Sequence, residues 1–415
     1  MGAIVIIAAA LCVLLLVTML AGGPGKAHRE WRKASEELGL LFDEKTLHLT
    51  GERSGFTVEA EALTGRDPYT ELTVCCDAEC TKEFVIGQQD RLWTNQLVNT
   101  PAYQSGDPSF DDQVGVYGDP CHLAAVLDST TRRALVHLVC DMEGMVSEGI
   151  VRARRAGVIR EAHQLVSAFR FIVRLANGLA IAEHEVPGRL STIVRKDPIA
   201  AVRGQCISHL AARYPQSRHT KQALKIGRRD RDARVRLWAG KSAGAAGMST
   251  IQLLVVDEQV RFELRAEGLD YLVRQLPVDQ AGPILAGLLG SALTIRAIAQ
   301  LGRIQYRPAA KVLISRIASA EQRELLAIIN AFTRMGGKGV EGSLISLLKH
   351  ADEDVGDAAI VALGAVAGPV GLDELRRLSA RQDTPKIVKE LAQEAVIATE
   401  ERLSALALVP TQEEA

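Results

Sequence analysis

The sequence has few aromatic residues. Phe, Tyr and Trp together account for 4% of its 415 residues, whereas apolar residues of all kinds account for 47%. This composition argues against a β-sandwich or an aromatic-lined ligand cavity and favours many small, closely packed helices. The apolar content is also too high for a disordered chain, and the length predicts two or three domains.

Charged residues are absent from the first 25 positions. Ala3 to Ala21 is almost entirely aliphatic, and a helix of that length, at about 1.5 Å per residue, matches the hydrocarbon core of a bilayer. We therefore predict a transmembrane anchor over residues 1–25. A cleaved signal peptide would need a basic region before the apolar run. A lipoprotein modified at Cys12 would need a small residue in place of Leu11.

Of the two flanks of this apolar segment, only the C-terminal one carries basic residues. They are Lys26, Arg29, Arg32 and Lys33. Basic flanks stay on the cytoplasmic side, so we predict a single-pass protein of the cell (inner) membrane with a cytoplasmic body. The cysteines of the body form no regular framework, which suits a reducing compartment.

Residues 26–186 are predicted to form a small α+β domain. Two runs within Thr46–Ala62 flank Ser54-Gly55 and predict a β-hairpin, and short β-type runs alternate with helical patterns further on. Zinc binding is one interpretation of Cys75, Cys76, Cys80, Cys121, His122 and Cys140. Because no paired CxxC spacing is present, we favour ordinary buried thiols and predict no metal, no cofactor and no catalytic residue.

A repeat with a period of about 31 residues occupies the C-terminal half. Apolar-Arg pairs occur at Val202-Arg203, Val235-Arg236, Leu264-Arg265 and Ile295-Arg296, with weaker counterparts at Leu326, Val355 and Val388. A period of this length is typical of a solenoid, because one helical hairpin cannot bury its apolar face alone. Gly240-Lys241-Ser242 ends like a phosphate loop, but Val235 stands where that loop needs its first glycine.

The segments DPIAAVRGQCISHL, DRDARVRLWAGKSAG and DEDVGDAAIVALGAVAG resemble HEAT repeats of the short bacterial, phycobilisome-lyase-like type. The resemblance implies an α-solenoid of about seven helical hairpins over residues 187–403, followed by a flexible tail at 404–415. It also implies a structural ladder of acidic and Arg side chains that ties successive repeats together. The ladder positions are Asp197, Arg203, Asp230, Arg236, Asp257 and Arg265.

Charge is distributed unevenly along the repeats. Residues 187–241 hold 14 Arg/Lys and 3 Asp/Glu, whereas residues 340–415 hold 7 and 14. The basic window supplies a candidate binding face of Arg195, Lys196, Arg213, Arg218, Lys221, Lys225, Arg228 and Arg229. A solvated face, anionic lipid and an acidic protein remain open as explanations. Nucleic acid is disfavoured because few aromatic side chains lie nearby for stacking.

These features favour a binding protein over an enzyme. We predict a membrane-anchored, non-catalytic protein-protein interaction scaffold that uses its HEAT-repeat surface. The alternative is a HEAT-like lyase or maturation enzyme acting on a protein partner. An enzyme would require convergent titratable groups in a pocket, which a scaffold does not need.

Overall fold

The computed structural model describes residues 24–88 and 101–407. The chain is mostly helical, with an N-terminal antiparallel sheet and a helical repeat region. It divides into two compact units, one extending to Gly247 and the other beginning at Met248. The predicted membrane segment, up to residue 23, and the end of the predicted tail, from residue 408, lie outside the described residues. Within the described part, no helix alone is long and apolar enough to cross a membrane; one pair, bent by 77°, meets that test jointly.

The sheet of the first unit has eight described strands in the order β1-β2-β3-β4-β8-β7-β5-β6, all antiparallel to their neighbours. The predicted hairpin is confirmed. Ser54 and Gly55 turn the chain with φ of 53° and 80°, the positive values that a tight two-residue hairpin turn requires. The strands are β1 Leu41–Asp43, β2 His48–Arg53, β3 Phe56–Leu63, β4 Tyr69–Cys75, β5 Val85–Gln88, β6 Val114–Tyr117, β7 Met145–Ser147 and β8 Ile150–Ala156.

Two helices, α1 (Pro24–Leu38) and α5 (Ala162–Leu179), pack against each other, and α5 also covers β4 and β8. In α5 the buried Leu165, Phe169, Ile172 and Ala176 recur at helical spacing and form one apolar stripe. Trp31 of α1 is buried, and its indole Nε1 donates a hydrogen bond to the Ile159 carbonyl at 2.8 Å. This satisfies the one polar group of a large core side chain.

Shorter helices fill the space between the sheet and the first repeats. They are α2 (Pro108–Asp111), α3 (Pro120–Val126) and α4 (Ser129–Val136). Asp119 and Asp128 start α3 and α4 by accepting hydrogen bonds from backbone N–H groups of the first turn. The side chains of α3 are buried. The helix contacts both helices of the first repeat, so the predicted boundary near residue 187 falls inside one continuous apolar core.

The repeats of the first unit are two helical pairs. The helices are α6 (Val186–Lys196), α7 (Ala200–Arg213), α8 (Arg218–Gly227) and α9 (Ala233–Ser242). The two helices of each pair are antiparallel. The first helices of successive pairs stack on each other, α6 on α8, and so do the second helices, α7 on α9. Asp232 caps α9 in the same way that Asp119 caps α3.

The second unit continues with five helical pairs in its described part. Their second helices stack on one another from α13 to α19. All seven positions of the sequence period, from Val202 to Val388, fall on the second helix of a pair. The bounds are α10 Met248–Val256, α11 Phe262–Gln275, α12 Val278–Gly287, α13 Thr294–Arg303, α14 Ala310–Arg316, α15 Gln322–Met335, α16 Lys338–Leu347, α17 Glu353–Val366, α18 Pro369–Ala380 and α19 Lys386–Ala407.

Candidate functional site

The ladder aspartates of the first unit lie in the turns between paired helices, and the ladder arginines lie on the helices that follow these turns. Arg203 of α7 forms a bidentate ion pair with Asp230, with Nη2 at 2.7 Å and Nε at 2.9 Å from the carboxylate oxygens. Its Nη1 donates to the carbonyls of Asp197 and Pro198 in its own turn. One buried guanidinium therefore fixes its own turn and the next one.

Two further ladder arginines also contact the turns that precede their helices. Arg236 of α9 donates to the carbonyls of Asp230 and Arg231, which is the same contact with its own turn. Arg265 of α11 is buried and donates from Nε to the Val255 carbonyl at 2.8 Å. Asp257 precedes α11 and accepts from the backbone N–H of Gln259. Arg236, Arg265 and Asp257 therefore stabilise the turns that precede α9 and α11.

Arg132 of α4 extends the ladder into the sheet-bearing part of the unit. Its side chain is 2% exposed and pairs with Asp197 through Nη1 at 2.9 Å, while Nε donates to Asp107 at 2.9 Å. Nη1 also donates to the Leu127 carbonyl of its own turn. Sequence reasoning missed Arg132, because the first two repeats place Arg six residues after the turn Asp, whereas Arg132 follows Asp128 by four.

Most of the predicted basic face is exposed. Arg218, Lys221 and Lys225 recur along one side of α8, which packs beside α6. Arg213 and Arg228 differ from the rest: Arg213 pairs with Asp119 at 2.8 Å, and Arg228 donates to the Ala246 carbonyl. The others make no ion pair with any described residue. We call these the basic surface: Arg195, Lys196, Arg218, Lys221, Lys225 and Arg229.

A groove of about 650 Å³ lies between α16 and α18 in the second unit. The half-buried apolar side chains of Ile345, Leu348 and Leu378 line it. Lys349 and Arg377 lie beside them. The contacts between α16 and α18 are few compared with those between α17 and α19, so this opening lies where first helices of successive pairs separate. The groove combines an apolar lining with a basic edge.

Three potential ligand side chains meet in the first unit, although they come from distant segments. Cys80 lies in the 3₁₀ turn Glu79–Glu83 between β4 and β5, His122 lies on α3, and Glu183 begins the 3₁₀ turn Glu183–Glu185 before α6. Their sulfur, nitrogen and oxygen atoms all lie within 4.8 Å of one another. His122 Nε2 is 2.6 Å from Glu183 Oε2 and 4.0 Å from Cys80 Sγ.

Neighbouring side chains hold this cluster in place. The Tyr214 hydroxyl donates to Glu183 Oε1 at 2.6 Å, and this bond lowers the pKa of Glu183 together with the nearby His122. Arg213 lies 3.7 Å from the same oxygen while it pairs with Asp119. Burial, followed by the charge of Glu183, raises the pKa of the Cys80 thiol. We call Cys80, His122 and Glu183 the junction cluster.

Cys121 is buried on α3 next to His122 but does not belong to the group of three ligand atoms, and the other cysteines considered as zinc ligands lie elsewhere. Cys76 is buried with its thiol directed at the Ala176 carbonyl, and Cys75 and Cys140 are exposed elsewhere. Residues 240–244 read Gly-Lys-Ser-Ala-Gly, the spacing of a serine nucleophile elbow, but Ser242 ends helix α9 and follows no strand. The strand-turn-helix context that such a serine needs is missing there.

Comparisons with known proteins recognise the repeats alone. A family profile described as HEAT repeats matches residues 310–397, the segment from α14 into α19. A search of curated proteins gave no match. Among solved structures, the crystal structure of an engineered protein aligns with 51% of this chain and 96% of its own, at 15% identity and a TM-score of 0.26. That score is too low to support any conclusion about fold.

Proposed function

We propose that this chain is a non-catalytic scaffold that binds a protein partner along its HEAT repeats and is tethered to a membrane by residues 1–25. The observation that carries the proposal is the HEAT-repeat match at residues 310–397, the segment that contains the groove between α16 and α18. Stacked repeats of this class provide extended surfaces that bind other proteins.

The groove favours a particular kind of partner segment. Ile345, Leu348 and Leu378 offer an apolar lining, which suits one or two apolar side chains of a bound segment. Arg377 pairs with Glu374 of its own helix, whereas Lys349 makes no ion pair with a described residue and remains available. A segment carrying apolar side chains next to Asp or Glu would complement this lining and its basic edge.

Photocrosslinking tests the binding surface. A photoreactive amino acid placed at Ser346, an exposed position lining the groove, should give an adduct with one protein in the native membrane fraction. The same amino acid at Glu59, an exposed strand position of the first unit, should not give that adduct. Lys349→Glu should weaken the Ser346 adduct, because it reverses the charge at the groove edge. Equal adducts at both positions, or no effect of Lys349→Glu, would contradict the proposal.

The membrane tether has a separate test. The apolar run of residues 1–25 supports it, together with the basic residues that follow from Lys26 onward. The full chain should stay with membranes after alkaline carbonate washing and dissolve only with detergent. Leu14→Arg with Leu15→Arg should release it, whereas Leu41→Arg, at a position 74% exposed in β1, should not. Complete release of the unaltered chain by carbonate would refute the tether and leave the repeat proposal standing.

A further inference from the structure

We propose that the junction cluster is a binding site for one Zn²⁺ ion, with Cys80 Sγ, His122 Nε2 and Glu183 Oε2 as ligands and a fourth position open to water. A thiolate, an imidazole and a carboxylate are the three ligand types that Zn²⁺ accepts in proteins. A sulfur and a nitrogen ligand together disfavour Mg²⁺ and Ca²⁺, which take oxygen ligands.

The spacing of the three atoms suits tetrahedral coordination after small adjustments. At the usual zinc bond lengths, tetrahedral ligand atoms lie about 3.3 to 3.6 Å apart. His122 Nε2 is 4.0 Å from Cys80 Sγ and 2.6 Å from Glu183 Oε2. The first pair must close slightly and the second must open, each by less than about 1 Å. The third pair, Cys80 Sγ and a Glu183 carboxylate oxygen, lies within 4.8 Å before any adjustment. The side chain of Glu183 is 52% exposed, so it can move, and water can reach the fourth position from its side.

The second nitrogen of His122 is a separate indication. Only 7% of His122 is exposed, and Nδ1 is buried without a hydrogen-bond partner. Buried polar atoms are normally paired. Asp119 Oδ1 lies 3.8 Å from Nδ1. When Nε2 binds a metal, the ring proton resides on Nδ1 and faces this carboxylate, the arrangement that commonly orients zinc-binding histidines.

The surroundings also preorganise the carboxylate ligand. Tyr214 holds Glu183 Oε1 at 2.6 Å, while Oε2 lies 2.6 Å from His122 Nε2. Asp119 is fixed independently, because it accepts from the backbone N–H groups of Cys121 and His122 and from Arg213. Each ligand therefore has either a buried position or a second contact that orients it.

Charge and proton changes balance on binding. Cys80 gives up its thiol proton to solvent and binds as a thiolate, and Glu183 binds as a carboxylate, so two negative charges compensate Zn²⁺. Arg213 remains paired with Asp119 outside the coordination sphere. The ion would connect the turn between β4 and β5, helix α3 and the turn that precedes α6.

Cobalt spectroscopy on the full chain in detergent, with its thiols reduced, tests the site. Co²⁺ should bind at one ion per chain and produce the near-ultraviolet thiolate charge-transfer band and visible bands of tetrahedral coordination. Zn²⁺ should bleach these bands by displacement, and Mg²⁺ should not. Cys80→Ser should abolish the charge-transfer band, whereas Cys140→Ser, which removes an exposed thiol elsewhere, should retain it.

His122→Gln and Glu183→Gln separate coordination from folding. Both should weaken Co²⁺ binding by at least about tenfold, since loss of a ligand costs more than the tenfold to hundredfold effect of losing a supporting residue. Circular dichroism of the metal-free variants should overlay that of the metal-free parent. A band that persists in Cys80→Ser, or Zn²⁺ binding unchanged by Glu183→Gln, would overturn the site. So would a folded parent chain that shows no charge-transfer band with saturating Co²⁺.

Discussion

The helical pairs of the first unit are joined differently from those of the second. In the first unit the turns are connected by buried ion pairs, Arg132 with Asp197 and Arg203 with Asp230. In the second unit successive second helices meet through small residues, with Gly302 facing Ala331 and Gly364 facing Ala395. Its ion pairs are more exposed, as at Arg296, whose side chain is 44% accessible.

This difference in how the helical pairs are joined predicts which substitutions destabilise each unit. A buried ion pair adds little net stability compared with apolar packing, but loss of one partner leaves a buried charge. Where two helices approach closely at a glycine, their packing depends on side-chain volume instead. If the backbone of the second helix lies opposite the glycine, there is no room for an added Cβ. The first unit also has a close glycine contact, between Gly204 and the Trp238 ring. It should therefore be sensitive to unpaired charge as well as to side-chain size, and the second unit mainly to side-chain size.

The largest effect is expected for Arg132→Met. This substitution keeps much of the side-chain volume but leaves the buried Asp197 and the half-buried Asp107 without their guanidinium partner. We expect the free energy of unfolding of the first unit to fall by about 3 to 5 kcal/mol. Hydrogen exchange followed by mass spectrometry should report this as faster exchange in α4, α6 and α7, with α13 to α17 unchanged.

Two comparisons sharpen this prediction. Arg195→Met removes an exposed arginine that pairs with no described residue, and exchange should stay as in the parent chain. The double variant Arg132→Met, Asp197→Leu should recover part of the loss, because an apolar pair replaces a stranded charge. If the single and double variants exchange alike, the ion pair does not account for the effect.

Periodicity predicted more of this molecule than any single motif. The apolar-Arg positions recur at nearly constant spacing, so they located the second helix of every pair, and Ser54-Gly55 predicted the hairpin through its backbone requirement. The junction cluster has no such signal. Cys80, His122 and Glu183 are far apart in the chain and come together only in the folded unit.

The ladder ion pairs also show what sequence spacing cannot predict. Arg203 and Asp230 share the repeat register, so the resemblance to HEAT repeats implied both of them as ladder residues. Arg132 occupies an equivalent place from a helix outside the register. Arg296 pairs with Asp270, one helical pair earlier, and the turn before its own helix contains no acidic residue. Which acidic group an arginine reaches depends on how helices cross, and a pattern along one chain does not contain that information.

The next largest effect is expected in the second unit, for Gly302→Ala. A Cβ at this position would lie 2.7 Å from the Ala331 Cα, so α13 and α15 must separate. We expect a loss of about 1 to 3 kcal/mol, confined to the second unit. Gly342→Ala is the matched control: it lies within α16 with nothing within 4 Å of an added Cβ, and it should stabilise by about 0.5 to 1 kcal/mol. Equal urea midpoints for the two variants would contradict close packing at Gly302.

The smallest effect concerns the exposed polar contacts of the second unit and depends on pH. Hydrogen bonding from Arg296 lowers the pKa of Asp270 despite its partial burial. A carboxyl whose folded pKa lies below its unfolded value stabilises the fold fully above about pH 4 and loses that contribution as the pH falls through the folded pKa. Asp270→Asn should therefore destabilise the second unit at about pH 7 by no more than about 1 kcal/mol, because water screens the pair.

The difference in stability between Asp270→Asn and the parent chain should shrink only below about pH 4. Glu258→Gln, at an exposed loop position, should produce no difference at either pH. A difference that stays constant into acid would mean that Asp270 acts through packing rather than through its charge.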